Sequence, residues 1–181
     1  MTNKIFKIST LVLVAIVMSG CSNNIKRYKL GLGLVQQVKA YNPSYIEIES
    51  VTMPKGDTNR TICRLNSSIS LPDKMKYSDY IKDALSKTVT HMNEGKSCNP
   101  GHKLKVELTN VSVNTFNTKW SIDANVTVDN NKPVVLNTES KHNFSYVAGS
   151  ACLNAANAFD EATDNFIKQL FIHPTISKQL K

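Results

Sequence analysis

The chain has no Cys-x-x-Cys pair, no His-Glu-x-x-His stretch and no Gly-x-Ser-x-Gly turn. It therefore carries no thiol redox motif, no zinc-protease helix and no hydrolase nucleophile elbow. Gly31-Leu32-Gly33-Leu34 is not a dinucleotide fingerprint, because Gln36 stands where the third glycine belongs. The histidines His91, His102, His142 and His173 are scattered. Two fall near helix ends and His142 falls late on the apolar side of a strand, positions that suit structural histidines. Asp160, Glu161 and Asp164 fall on the outer face of the last helix, where carboxylates ordinarily meet water. No internal repeat or low-complexity tract stands out. No catalytic residue, metal site or cofactor is expected from these patterns.

Long apolar runs are equally scarce. The chain has one, within Ile8–Met18, preceded by Lys4 and Lys7. It falls short of the roughly 20 residues that a membrane-spanning helix needs. A positive start, a short apolar run and small residues before a cysteine are the order of an export signal. The run closes on Met18-Ser19-Gly20-Cys21, which resembles the bacterial lipobox, with Met at the first position in place of the usual aliphatic residue. The resemblance implies that residues 1–20 are a removable signal peptide and that Cys21 carries acyl chains, palmitate among them. Several chains make an effectively permanent anchor, where a single one binds only marginally. Ser22, rather than the Asp that resembles an inner-membrane retention signal, follows the cysteine. The expected address is therefore the periplasmic side of the outer membrane.

Acids are absent between Cys21 and Tyr45, where Lys26, Arg27, Lys29 and Lys39 occur. The segment 21–44 reads as a lipidated, basic tether. Basic residues beside an anchor gain about 1 kcal/mol each on an anionic surface. The whole chain carries 22 Lys and Arg against 14 Asp and Glu. Loss of Lys4 and Lys7 with the signal leaves a net charge of +6. Export removes nucleic acid from the expected partners and leaves anionic envelope components.

The rest, 45–174, reads as a single α+β domain followed by a tail at 175–181. Tyr45–Val51 alternates as a strand, and Thr61–Leu65 is a second, short one. Apolar residues from Tyr77 to Met92 step by three and four, which predicts a helix over 76–93. Three strands follow. The first changes phase near Asn110, as at a bulge. Trp120–Val128 is the clearest, and Val134–Tyr146 continues on even positions after the Asp129-Asn130-Asn131-Lys132 turn. A last helix spans about 151–172, capped by Ser150 and stopped by Pro174. One-sided strands require helices on one face. The expected architecture is a two-layer sandwich, with a mostly antiparallel sheet of four to five strands and two helices on one face.

Three cysteines remain beyond Cys21. Cys152 heads the apolar stripe of the last helix, and Cys63 lies in a short strand. A Cys63–Cys152 disulfide is therefore expected, with Cys98 free in a Gly/Asn/Pro-rich turn. The alternatives are two separate buried thiols, or a bridge through Cys98.

Tyr80-Ile81-Lys82-Asp83-Ala84-Leu85, the Trp120–Val128 strand with its Asp129–Lys132 turn, and Asn154-Ala155-Ala156-Asn157-Ala158-Phe159 carry a resemblance over 76–181. Behind a lipobox, this series is similar to the YajG-like group of small outer-membrane lipoproteins. At the level of fold it also resembles the lipoprotein that plugs the lipopolysaccharide translocon, and auxiliary lipoproteins of envelope transporters. The resemblance implies a non-enzymatic binding or scaffold protein, or an accessory subunit of an envelope assembly or transport system. Its partner would be an envelope protein or a glycolipid. The other readings are a cell-wall hydrolase, which requires a cleft with convergent titratable groups, and an inhibitor of a host or rival enzyme. The inhibitor reading requires a rigid loop, for which 52–60 and 93–102 are the candidates.

Overall fold

Trp120, Ile122, Ala124, Val126 and Val128 are buried, while the residues between them are half-buried. This alternation defines strand β6, Lys119–Val128. It is the centre of the fold in a computed structural model that describes residues 22–41, 43–64, 67–98 and 101–181. The expected signal peptide, residues 1–20, and Cys21 lie outside the described residues. Strand β5, Gly101–Asn114, and strand β7, Val134–Lys141, flank β6 in antiparallel register. The phase change near Asn110 is a register shift between Leu108 and Asn110. Strand β2, Tyr45–Thr52, pairs in parallel with β5, so the sheet order is β2-β5-β6-β7.

A parallel neighbour requires a crossover, and helix α2, Tyr77–Asn93, lies in that connection. Its Tyr80, Ile81, Ala84, Leu85, Thr88 and Met92 are buried at three- and four-residue steps. At its end the Asn93 amide brackets the backbone of Ile46: Nδ2 donates to the Ile46 carbonyl at 2.7 Å, and the Ile46 N–H donates to Oδ1 at 3.0 Å. The exposed edge of β2 thus gains a side-chain partner in place of another strand.

The expected last helix is two. Helix α3, Ala148–Asn157, begins before Ser150 and ends at Ala158, where φ is −92° and ψ 0°. Helix α4, Phe159–Ile172, continues from there. The junction turns Phe159 into an aromatic cluster with Tyr77, Tyr80 and Trp120, whose ring centroids lie 4.6–6.4 Å apart. The Trp120 indole donates to the Ala155 carbonyl at 2.8 Å, so the buried polar handle of the ring is satisfied.

The α+β class holds, with a second sheet besides the expected one. Strands β3, Arg60–Arg64, and β4, Ser67–Ser70, form an antiparallel pair. Strand β1, Ser22–Asn24, joins β4 in parallel, giving the order β1-β4-β3. The expected tether is corrected accordingly. After β1, Ile25 and Tyr28 are buried, and helix α1, Leu32–Lys39, lies across α2 and α4 with Leu34, Val35 and Val38 inward. The absence of acids in this segment marks no solvated linker; its apolar residues complete the core. The tail at 175–181 is corrected too. Pro174 opens helix α5, Pro174–Gln179, and Ile176 and Leu180 are fully buried. Burial of such a side chain contributes about 1.5–3 kcal/mol.

Strand β7 ends earlier than its pattern suggested. Lys119 pairs with Lys141 and β6 starts there; the His142 N–H still donates to the Thr118 carbonyl at 2.8 Å, and the chain then leaves the sheet. Phe144 and Tyr146, expected on the apolar face of the strand, are exposed in the loop before α3.

Candidate binding surface

Arg64 closes β3 and gathers three separate pieces of chain. Its Nε donates to Thr115 Oγ1 at 2.9 Å and its Nη2 to the Thr115 carbonyl at 2.8 Å. Its Nη1 donates to the carbonyls of Ser145 at 3.0 Å and Tyr146 at 3.4 Å. Thr115 belongs to the β5–β6 turn, and Ser145 and Tyr146 to the loop between β7 and α3. A planar guanidinium suits such a site, because its rigid fork serves several acceptors at once. The same guanidinium lies 4.3 Å from the ring centre of Phe116 and 5.8 Å from that of Phe144.

The turn that carries Phe116 is locally determined. The Asn114 side-chain oxygen accepts from the N–H groups of Phe116 and Asn117 at 3.0 and 2.9 Å. This Asx arrangement folds the tip without a strand partner. Thr118 takes a positive φ of 51° before β6 begins. Phe116 is thereby held outward, 74% exposed. Phe144 and Tyr146 meet edge to face at 4.7 Å, and Tyr146 is 90% exposed. Val147 and, on β3, Ile62 are exposed as well. A cluster of exposed aromatic and aliphatic side chains around one saturated arginine is the chemistry of a binding surface.

The disulfide lies behind this surface. Cys63 and Cys152 are bridged, with Cα atoms 5.8 Å apart and 89 residues of sequence separation. The bond ties β3 to α3 between Ile62 and Arg64. Cys98 is free and exposed. Both halves of the cysteine expectation agree with this arrangement.

The acids of the last helix do not lie where expected. Asp160 and Asp164 are half-buried beneath the N-terminal segment, and only Glu161 is exposed. The Tyr28 hydroxyl donates to Asp164 at 2.6 Å, and the Tyr80 hydroxyl donates to Asp160. Burial is the main cause that raises both carboxyl groups above their ordinary range; each tyrosine hydrogen bond opposes it in part. Both tyrosine hydroxyls are pushed far up, by burial first and then by the acids they meet. The Tyr28 pair clasps residues 25–31 to α4, and the Tyr80 pair ties α2 to α4 beside them. They were missed because the segment opposite them read as a tether.

The histidines stay apart. His91 contacts Glu94 at 2.7 Å, and His102 contacts Asp129 at 2.9 Å. The His102 contact and the Lys103 N–H hold the Asp129 carboxyl below its usual range. His142, expected on an apolar strand face, instead lines a shallow cavity of about 280 Å³ with Lys141, Asn143, Asn154 and Glu161. Among the described residues no three His, Cys, Asp or Glu side chains group as a metal site. Nor is any described helix long and apolar enough to cross a membrane.

The open face of the large sheet is polar, as its alternation predicts. Lys105 pairs with Glu49 at 3.0 Å and Lys119 with Glu139 at 2.6 Å. Ser50, Thr52, Lys105, Glu107, Asn125 and Thr127 surround a depression of about 310 Å³ there. Exposed pairs of this kind contribute at most about 1 kcal/mol each, and their mixed signs favour no single charged ligand.

No family model, curated protein or solved structure matches this chain. The functional reading therefore rests on the residues and their geometry.

Proposed function

We propose that this chain is a lipid-anchored lipoprotein of a bacterial envelope that works by binding and not by catalysis. Acyl chains on Cys21 hold it to the periplasmic side of the outer membrane. There it serves as a scaffold or as an accessory subunit of an assembly or transport system. The export signal, the lipobox and the resemblance to the YajG-like lipoproteins support the address. The Arg64-centred surface carries the binding reading. Phe116 and Phe144 lie against the Arg64 guanidinium, Tyr146 meets Phe144, and Val147 follows in the chain, so exposed apolar area gathers in one place, and such a patch ordinarily marks an interaction site.

Two measurements test this reading. Metabolic labelling with a palmitate analogue labels the parent and not Cys21→Ser; equal labelling of both overturns the anchor. A photo-reactive phenylalanine analogue at position 146 then forms an adduct with an envelope component, protein or lipid, on illumination of intact cells. Absence of any adduct overturns the binding surface.

A further inference from the structure

We infer that the Arg64-centred aromatic patch is seated on the lipid bilayer surface itself, so that the folded domain stands directly on the membrane with no tether between. The inference rests on the reading of Cys21 as the lipid-bearing residue and names the partner of the same surface.

The argument starts from the small sheet. Ser22 and Ile62 are both paired with Ser68, from its two sides. Neighbouring strands are about 4.8 Å apart, so Ser22 and Ile62 are separated by about 10 Å. Read backward from Asn24 to Ser22, β1 runs toward the row in which Ser67 pairs with Arg64. Cys21 is one peptide beyond Ser22, about 3.8 Å between Cα atoms. The bond to residue 21 therefore leaves the small sheet at Ser22, about 10 Å from Ile62 and at the end of the sheet where Arg64 closes β3.

The chain after Cys21 leaves no slack. Ser22–Asn24 is hydrogen-bonded to β4, the Ile25 N–H donates to the Ser70 carbonyl at 2.8 Å, and Ile25 and Tyr28 are buried. A lipid inserted in the bilayer therefore holds the small sheet at the headgroup level, and the surface around Ser22 meets lipid. The side chains around Arg64, at the same end of the small sheet, fit that environment. Phe116 and Phe144 offer apolar rings, and Tyr146 offers a ring with a polar tip, the type that collects at membrane interfaces. The Arg64 charge is satisfied by four protein oxygen contacts, so the patch presents its rings and not an unpaired cation.

The test uses the full chain, produced in a two-membrane bacterium in a Cys98→Ser background. It is purified with its own lipid and reconstituted in phosphatidylethanolamine/phosphatidylglycerol vesicles. An environment-sensitive dye is placed on Phe116→Cys, on Tyr146→Cys, or on Asn130→Cys in the β6–β7 turn. Position 130 lies beyond the far end of β6, about 30 Å along the strand from Lys119. Lipids with a shallow spin label quench the dye about twofold at 116 and 146, within the depth of roughly 5–10 Å that interfacial apolar groups reach, and leave 130 unchanged. The Tyr146 ring is 90% exposed and meets the exposed Phe144, so its variant retains the structure even where Phe116→Cys loosens the turn. Acylated protein whose dyes at 116 and 146 are quenched no more than at 130 overturns the inference while the anchor stands. Unquenched dyes together with a photo-adduct to a protein at 146 assign the patch to a protein partner and also overturn it. A mass spectrum of the N-terminal peptide without acyl groups overturns the anchor reading and the inference with it.

Discussion

The four-stranded sheet and the three-stranded sheet are held by different means. In the large sheet, Leu104, Val106, Leu108, Ile122, Ala124 and Val126 pack against α2 and α4 with almost no exposure. Long strands with a strict period of two supply their own apolar face. The small sheet has strands of three to five residues, too short to bury a comparable area. It depends on the Cys63–Cys152 bond, on the Arg64 hydrogen bonds, and on the Tyr28–Asp164 clasp that follows β1. The difference shows how a short, edge-rich region near the surface is fixed: by covalent and directional contacts where area is insufficient.

The sharpest way to break the contrast is to place a charge in the large sheet. Ile122→Asp buries a carboxylate with no partner and unfolds the domain; circular dichroism shows loss of the cooperative transition. A folded Ile122→Asp protein would remove the one-sided sheet. The next largest effect falls on the small sheet. Cys63→Ser with Cys152→Ser opens a long loop and lowers stability by about 2–5 kcal/mol in denaturant titration, equal to the effect of reductant on the parent. An unchanged midpoint would show that the bond is dispensable.

The clasps come third. Tyr28→Phe leaves the half-buried Asp164 without its donor and costs about 1–3 kcal/mol in denaturant titration. Their pH dependence has a definite sign. Asp160 and Asp164 have native pKa values raised above the ordinary 3.8. Their contribution to stability is full below that value and is lost as pH rises through the raised native range. Asp160→Asn with Asp164→Asn therefore flattens the stability profile between acidic and neutral pH. An unaltered profile would remove the clasps as titrating elements. The smallest effect is on the open sheet face. Asn125→Asp changes a half-exposed residue whose amide lies 3.4 Å from Glu107, and stability shifts by about 0.5 kcal/mol or less. A loss comparable to that of Ile122→Asp would show that this face is covered.

The sequence by itself marked the strands of the large sheet, their bulge and helix α2, and it favoured the cysteine pair that the structure joins. Each of these is written in a local period: two for Trp120–Val128, three and four for Tyr77–Met92, and the return of Cys152 to the stripe of Phe159 and Phe166. A period survives any tertiary context, because it states which side chains share a face. The tertiary structure alone decided the rest. Ser22–Lys39 shows no period long enough to announce burial, and it is ordered by surfaces on α2 and α4 that exist only once those helices have packed. The same docking turns Asp160 and Asp164 from wet acids into clasped ones. It also sets Ser22 level with Ile62 across strand β4. Phe144 and Tyr146 kept the even spacing of β7, yet they left the sheet because the chain before β6 turns away at Thr118, whose carbonyl makes the last contact, with the His142 N–H. Arg64, one of 22 basic residues in the sequence, acquired its role from Thr115 and Ser145, 51 and 81 residues away. Contacts across such distances leave no trace in local spacing, since they are selected by the geometry of the assembled core.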